Sequence, residues 1–352
     1  MHNVPRTSQD AIVTPDNFNR AETDMYFRST IQLAGGIGCF HHRREVMPIE
    51  WQTVVRPNRD TLYSSAVFDL DAAPVTITLP DSGARFMSML VIDQDQFAPV
   101  VVRGTGRVVL SRAQIGTRYA MVEVRTLVDP RNPTDLREAH RLQDAIVVEQ
   151  SQRGWFQVPA WDRSSQKKVR SALVALGRTL PDSRGMFGSR TQVDPIRHLI
   201  GTAMHWGGNP EDEAMYLSVT PLLNDGATIH RLTVRDVPVD GFWSISVYDA
   251  DGYFEPDRRN AHSVNSLAAA RGKDGSVTVQ FGGCDTPTAN CLSIMPGWNY
   301  MVRLYRPRME ILSGRWTFPV ATTAVKPPAL VSRPAARLHR ESRVAAAQYV
   351  RA

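Results

Sequence analysis

Between residues 51 and 124 apolar and polar positions alternate in short runs, at 53–55, 62–68, 75–79, 86–92, 100–103, 108–110 and 118–124. Turn formers such as Pro80-Asp81-Ser82-Gly83 and Arg103-Gly104-Thr105-Gly106 separate them. A period of two is the pattern of a strand with one buried face. Many short strands in succession predict a sandwich or a barrel. Ahead of this region the period lengthens. Thr14-Pro15 reads as a helix start, Phe18, Ala21, Met25 and 27–33 carry helical spacing, and Gly35-Gly36 ends it. Helical patterns return at 135–150, at 164–180 and from Asp194 through Pro195 to Trp206, which stops at Gly207-Gly208. Strand texture resumes at 228–234, 242–248, 277–281 and 300–305, with 316–319 as a last edge strand.

These elements predict a mainly β protein with helical elements (α+β). Two β-sandwich-like, jelly-roll-type domains are expected at 12–133 and 215–322, the first carrying the N-terminal helix. A helical segment, 134–214, lies between them, and 323–352 is expected to be a flexible basic tail. No short repeat is visible, although two β modules around a helical insert fit an old duplication.

A chain of 352 residues suits two cores better than one. No window approaches the roughly 18 apolar residues that a membrane span needs, so no membrane partner is expected. Residues 1–16 lack the apolar run of a secretory signal, which points to the cytoplasm, or to export if a signal has been removed. The net charge of +6 looks like a nucleic-acid binder's until its distribution is read. Lys326, Arg333, Arg337, Arg340, Arg343 and Arg351 face one acid, Glu341, in the tail, so the body is close to neutral. A near-neutral body lacks the field that nucleic acid requires, and no nucleic-acid partner is expected.

Cysteine gives little. Cys39 stands alone, and Cys284 and Cys291 share a Gly/Asp/Pro/Asn-rich loop, where a disulfide, half a metal site or two ordinary thiols all fit. His41-His42 is a weak metal signal, because neighbours in a strand face opposite ways. No metal and no cofactor is expected. The chain has no Gly-x-Ser-x-Gly elbow, phosphate loop, HExxH or GxGxxG after a strand.

Two blocks carry a resemblance. Residues 17–24 (Asn-Phe-Asn-Arg-Ala-Glu-Thr-Asp) and 56–65 (Arg-Pro-Asn-Arg-Asp-Thr-Leu-Tyr-Ser-Ser) resemble the bacterial domain of unknown function numbered 1254. Residues 241–249 (Gly-Phe-Trp-Ser-Ile-Ser-Val-Tyr-Asp), Gly297-Trp298-Asn299-Tyr300, Arg303-Leu304-Tyr305 and 314–319 resemble its usual C-terminal partner, numbered 1214. The resemblance spans about residues 12–322. It implies two β-sandwich-like domains and a homo-oligomer, and leaves activity open.

Three groups of residues are candidates for chemistry. Arg59 would orient an anion with its planar fork, Asp60 would act as base, and Tyr63 as proton donor. His198, Thr202 and His205 form one stripe on the third helix, so His198 is a second candidate base, with His205 and Trp206 lining a pocket. Tyr248, Arg303 and Tyr305 alternate with apolar neighbours and turn polar tips to one side, as substrate contacts. His262 is a looser candidate. Against each stands a bland role: an Arg–Asp pair that locks a turn, interdomain hydrogen bonding, or core packing.

Two readings follow. One is an enzyme, a hydrolase or a lyase, acting on a small anionic or carbonyl-containing molecule in a pocket between the domains. The other is a non-catalytic β-sandwich protein that binds carbohydrate or small ligands, or serves in assembly.

Overall fold

The computed structural model describes residues 10–324 apart from 53, 54, 181, 258 and 260. Most of the strand expected at 53–55, and the tail beyond 324, lie outside the described residues.

Helix α1 (Phe18–Ala34) begins three residues after Pro15, because Asn17 Oδ1 accepts the Thr14 N–H at 2.9 Å and turns the chain first. Gly35 closes it at φ 74°, in the left-handed region. The face bearing Phe18 and Phe27 also buries Glu22, Thr23 and Asp24. Each finds a partner, as burial demands. Glu22 pairs with Arg170, Thr23 accepts from Trp206 Nε1 at 3.1 Å, and Asp24 accepts from Trp161 Nε1 and Gln94 Nε2, each at 3.0 Å. The 17–24 block is therefore the dock of α1.

The N-terminal module follows as β1 (His41–His42), β2 (Thr61–Asp69), β3 (Val75–Leu79), β4 (Met87–Asp93), β5 (Val100–Arg103), β6 (Gly106–Leu110), short α2 (Arg112–Ile115) and β7 (Tyr119–Leu127). Helix α3 (Pro133–Asp144) is shorter than the helix expected over 135–150. Val147–Glu149 forms β8 on the free edge of β3 instead, where β-branched residues satisfy open backbone groups. Helices α4 (Arg163–Gly177) and α5 (Pro195–Met204) pack on α1 around Phe18, Leu173, Phe187 and Ile200. Together with Phe27 and Trp206, this layer covers one end of the outer face of the main sheet, at Val67, Ile92 and Met121.

The C-terminal module contains β9 (Ala214–Val219), β10 (His230–Val234), β11 (Trp243–Tyr248), β12 (Ser263–Asn265), β13 (Val277–Phe281), β14 (Cys291–Leu292), β15 (Asn299–Tyr305), α6 (Met309–Leu312) and β16 (Thr322–Thr323). The edge strand expected at 316–319 is irregular: Phe318 plugs the core beside Trp243, and Pro319 offers no N–H. Thr322–Thr323 takes the edge position, against β10.

The protein is thus mainly β, with 16 strands in four sheets and six helices among the described residues. Strand order exposes an internal correspondence. In the first module β2-β7-β4-β5 lie side by side, and β3 pairs with β6 in a second sheet; in the second, β9-β15-β11-β12 lie side by side and β10 pairs with β13. All these pairings are antiparallel. Six strands therefore recur in one order. In each module the two sheets share a core, Ala66, Ile77, Met89 and Val122 in the first and Leu232, Ile245, Val279 and Val302 in the second. No helix among the described residues is long and apolar enough to cross a membrane.

Candidate functional site

Strand β15 is buried throughout, with Tyr300, Val302 and Leu304 in the core of its module. Alternation then sends Met301, Arg303 and Tyr305 to the opposite face. Trp243, Ile245 and Val247 of β11 are likewise core, so Ser244, Ser246 and Tyr248 share that face. Onto it docks the 56–60 loop of the N-terminal module. Arg303 donates from Nη2 to the carbonyls of Arg56 (2.8 Å) and Pro57 (3.3 Å) and to the Tyr248 hydroxyl (2.7 Å), and from Nη1 to Ser246 Oγ (3.1 Å). The Tyr248 hydroxyl donates to Pro57 O at 2.9 Å. Asn58 Nδ2 reaches the hydroxyls of Tyr63 (3.2 Å) and Tyr305 (3.0 Å), and Asn58 Oδ1 accepts the Asp60 N–H. Ser244 Oγ donates to Asp60 Oδ2 at 2.5 Å. Arg56 itself sits at φ 51°, a costly conformation for a side-chain-bearing residue, pinned by its N–H on Gly252 O.

The internal correspondence reaches this face. Arg303 on β15 lies in register between Tyr216 on β9 and Ser244 on β11. Arg125 on β7 lies between Tyr63 on β2 and Ser88 on β4. The same Tyr–Arg–Ser row therefore occurs once in each module. Arg125 stands 5.4 Å over the Tyr63 ring, pairs with Glu123, and donates to Asn209 Oδ1, whose amide reaches the Tyr216 hydroxyl.

Charge in this interior is displaced from its ordinary balance. Burial pushes the Asp60 carboxyl up, while Arg303 and hydrogen bonds from Ser244 and Asn265 pull it down less strongly. Burial raises the hydroxyls of Tyr248 and Tyr305 as well. His205 is driven down to about 4 by burial and then by the Arg56 and Arg303 guanidiniums. A histidine depressed in the folded state takes up its proton earlier when unfolded, so stability falls as pH drops from about 6.5 toward 4. Wild-type protein should therefore lose about 2–3 kcal/mol more than His205→Gln across that window. Denaturant titrations of both at pH 7 and near pH 4 check this, and parallel losses would contradict it.

Beside the node opens a cleft of about 450 Å³. Asp60, only 2 % exposed, forms part of its wall with Arg59, Arg131, Arg259, His262 and the bonded pair Cys284–Cys291. The two loop cysteines are thus joined, which resolves the three options left by their spacing. Arg59 donates to Met47 O and lies 6.0 Å from the Phe254 ring centroid. Burial, then Arg59, lowers the His262 pKa.

Of the residues singled out from sequence, Asp60, Tyr63, His205, Tyr248, Arg303 and Tyr305 converge on the domain interface. Three others go elsewhere or to its margin. Arg59 faces the cleft. Trp206 stacks on Tyr26 with ring centroids 4.3 Å apart and donates to Thr23. His198 stacks on Phe97, and its ring nitrogens face Met186 O (2.9 Å) and Asp95 O (3.0 Å). The stripe expected to carry His198 and His205 together breaks because α5 ends at Met204, and His205 leaves helical geometry at φ −150°. His198 accordingly braces the 95–97 loop and makes no hydrogen bond to Asp60 or Tyr63. His42 Nδ1 lies 2.8 Å from Ser64 Oγ, and no group of three or more His, Cys, Asp or Glu among the described residues is arranged to hold a metal.

Sequence reasoning passed over Arg125, Tyr216, Ser244 and Asn209. The available signal was an arginine inside a largely apolar strand, at Arg125 as at Arg303, each in register with a tyrosine that only pairing reveals.

No curated protein matches the chain. A crystallised protein of Vibrio parahaemolyticus superposes with a TM-score of 0.68 at 17% identity, over 89% of this chain and 98% of that one. A putative uncharacterized protein of Burkholderia cenocepacia gives 0.51 at 15% identity, over 83% and 84%. At such identities the likeness is one of fold. Two family models match, each described as a protein of unknown function: DUF1254 over residues 37–107 and DUF1214 over residues 222–309. The 56–60 loop falls in the first match and Ser244, Tyr248, Arg303 and Tyr305 in the second, so the two regions meet at the interdomain node: the chain combines a DUF1254 region with a DUF1214 region.

Proposed function

We propose that this protein is an enzyme, a hydrolase or a lyase, which transfers a proton to or from a small anionic or carbonyl-containing molecule in the cleft beside Asp60. One observation carries the reading. A buried carboxyl whose pKa is raised lies in the wall of a 450 Å³ space that also presents Arg59, Arg131, Arg259 and His262. Such a carboxyl has the tuning of a general acid, and planar guanidiniums suit a carboxylate or a polarised carbonyl. The test is turnover of a panel of small carboxylic acids, esters and carbonyl compounds. Activity that Asp60→Asn lacks supports the reading; no turnover across the panel, or a fully active variant, overturns it.

The second reading, a non-catalytic ligand-binding or assembly protein, is favoured by one fact. Asp60, Asn58 and Arg303 each make hydrogen bonds that join the modules. Ligand binding without turnover would select it. For the fold we propose jelly-roll-type sandwiches, supported by the recurring six-strand order, and for the assembly a homo-oligomer, supported by exposed Trp51 and Leu222.

The expected cytoplasmic setting competes with export. The Cys284–Cys291 bond supports export, since disulfides persist in oxidising compartments. Replacing both cysteines with serine should cost about 2 kcal/mol in denaturant unfolding, from freed loop entropy. Three reactive thiols in unfolded, unreduced protein would contradict the bond.

A further inference from the structure

Ser263, Val264 and Asn265, which line the cleft, are strand β12, the edge of the sheet β12-β11-β15-β9. Bonded pairs alternate along an antiparallel ladder. Here the Ser266 N–H donates to Trp243 O at 2.8 Å and the Val247 N–H to His262 O at 3.1 Å, with Val264 opposite Ile245 midway between them. Ser263 and Asn265 therefore turn their backbone N–H and C=O groups away from β11. The Asn265 carbonyl is taken by the Ala269 N–H at 3.0 Å. The Ser263 N–H, the Ser263 C=O and the Asn265 N–H have no hydrogen-bond partner among the described residues. β12 is half-buried and no residue of β11 lines the cleft, so this edge opens into it. One wall thus presents an acceptor flanked by two donors. Val264 packs on the core of its module, which sends the Ser263 and Asn265 side chains to the opposite face, where Asn265 hydrogen-bonds Asp60. Arg131 and Arg259 bring positive charge to the same space. Their acids, Asp129 at 3.5 Å and Asp285 at 3.7 Å, form surface pairs of the kind that hold weakly.

We propose that the cleft takes an N-acyl amino acid, laid along the β12 edge as an added strand would be. In an extended residue the N–H and the following carboxyl point to one side. The amide N–H then meets the Ser263 carbonyl, and the carboxylate meets the Ser263 and Asn265 N–H groups. The guanidiniums favour the carboxylate and repel a free ammonium, which selects the acylated form over the amino acid itself. A space of about 450 Å³ holds one such small molecule and sets it against Asp60. The inference rests on the reading of this cleft as the reaction site and names the substrate class for it.

The experiment is a ligand-observed NMR titration of the whole chain with N-acetylglycine, which reports binding and any product separately. N-acetylglycine should bind saturably in the millimolar range. Acetoxyacetate, with an ester oxygen in place of the N–H, should bind about fivefold more weakly. N-acetylglycinamide, without the charge, should bind about tenfold more weakly. Ser263→Pro, a change that an open edge tolerates, removes one donor and should weaken N-acetylglycine about fivefold. The ligand comparison carries the test if that variant does not fold. No saturable binding of N-acetylglycine, or equal binding of either analogue, overturns the inference, even where other compounds are turned over. Binding with these preferences but without product supports it and counts against the enzyme reading alone.

Discussion

Arg303→Ala should cost the folded protein about 3–5 kcal/mol and separate the unfolding of the two modules into distinct steps. The side chain is 3 % exposed and donates to the backbone of the opposite module at Arg56 and Pro57, and to Ser246 and Tyr248 in its own. Its loss deprives the Arg56 carbonyl and the Ser246 hydroxyl of this donor, while Tyr248 and Pro57 keep only each other, and each buried group left unmet carries a desolvation cost of about 1–3 kcal/mol. It also removes the positive charge that opposes the burial of Asp60. The contrast is Arg103, which reaches Glu213 of the C-terminal module at 2.6 Å but is half exposed. Arg103→Ala should cost less than about 1 kcal/mol, as surface pairs do. Denaturant unfolding of the three proteins, followed by tryptophan fluorescence and by circular dichroism, checks both statements. A single shared transition for Arg303→Ala, displaced by no more than that of Arg103→Ala, would show that the node does not join the modules.

Asp60→Asn should abolish turnover by about 10²–10⁴-fold while leaving stability at pH 8 unchanged or higher. The sign follows from its raised pKa. A carboxyl raised in the folded state contributes stability that is present below its unfolded value and lost as pH rises through its folded one. At pH 8 the charged form is therefore a burden on the fold, and the neutral amide removes it. Its oxygen still accepts from Ser244. A residue kept only for structure would show the reverse, a loss of stability with activity retained. Melting temperatures at pH 5 and pH 8, set beside turnover, separate the two roles.

The strand texture of both modules was legible, because half-buried strands write their period into the sequence: Val75–Leu79 alternates buried and half-buried residues throughout. Segments decided by tertiary pairing were not. Val147–Glu149 continues a helical pattern and becomes a strand only because β3 presents a free edge. His205 shares a helical face with His198 on paper, yet the helix ends one residue before it. At the site, the 56–65 block stood out by its density of polar residues, and Arg303 and Tyr305 by alternation. Arg125 and Tyr216 were hidden, since their meaning depends on register between strands distant in sequence. The disulfide was open for the same reason: spacing permits Cys284–Cys291, and only the loop geometry selects it.

The most direct test of the account is the titration of the Asp60 carboxyl itself. Protein labelled with ¹³C at aspartate side-chain carboxyls can be followed by NMR, with Asp60→Asn as the blank. The blank matters because Asp93, another buried aspartate, is also raised, to about 6. The account predicts one signal, missing from Asp60→Asn, that stays protonated well above the usual aspartate value of 3.8. If every aspartate signal lost in Asp60→Asn is already ionised by about pH 5, Asp60 is an ordinary buried anion and not the proton carrier of this cleft.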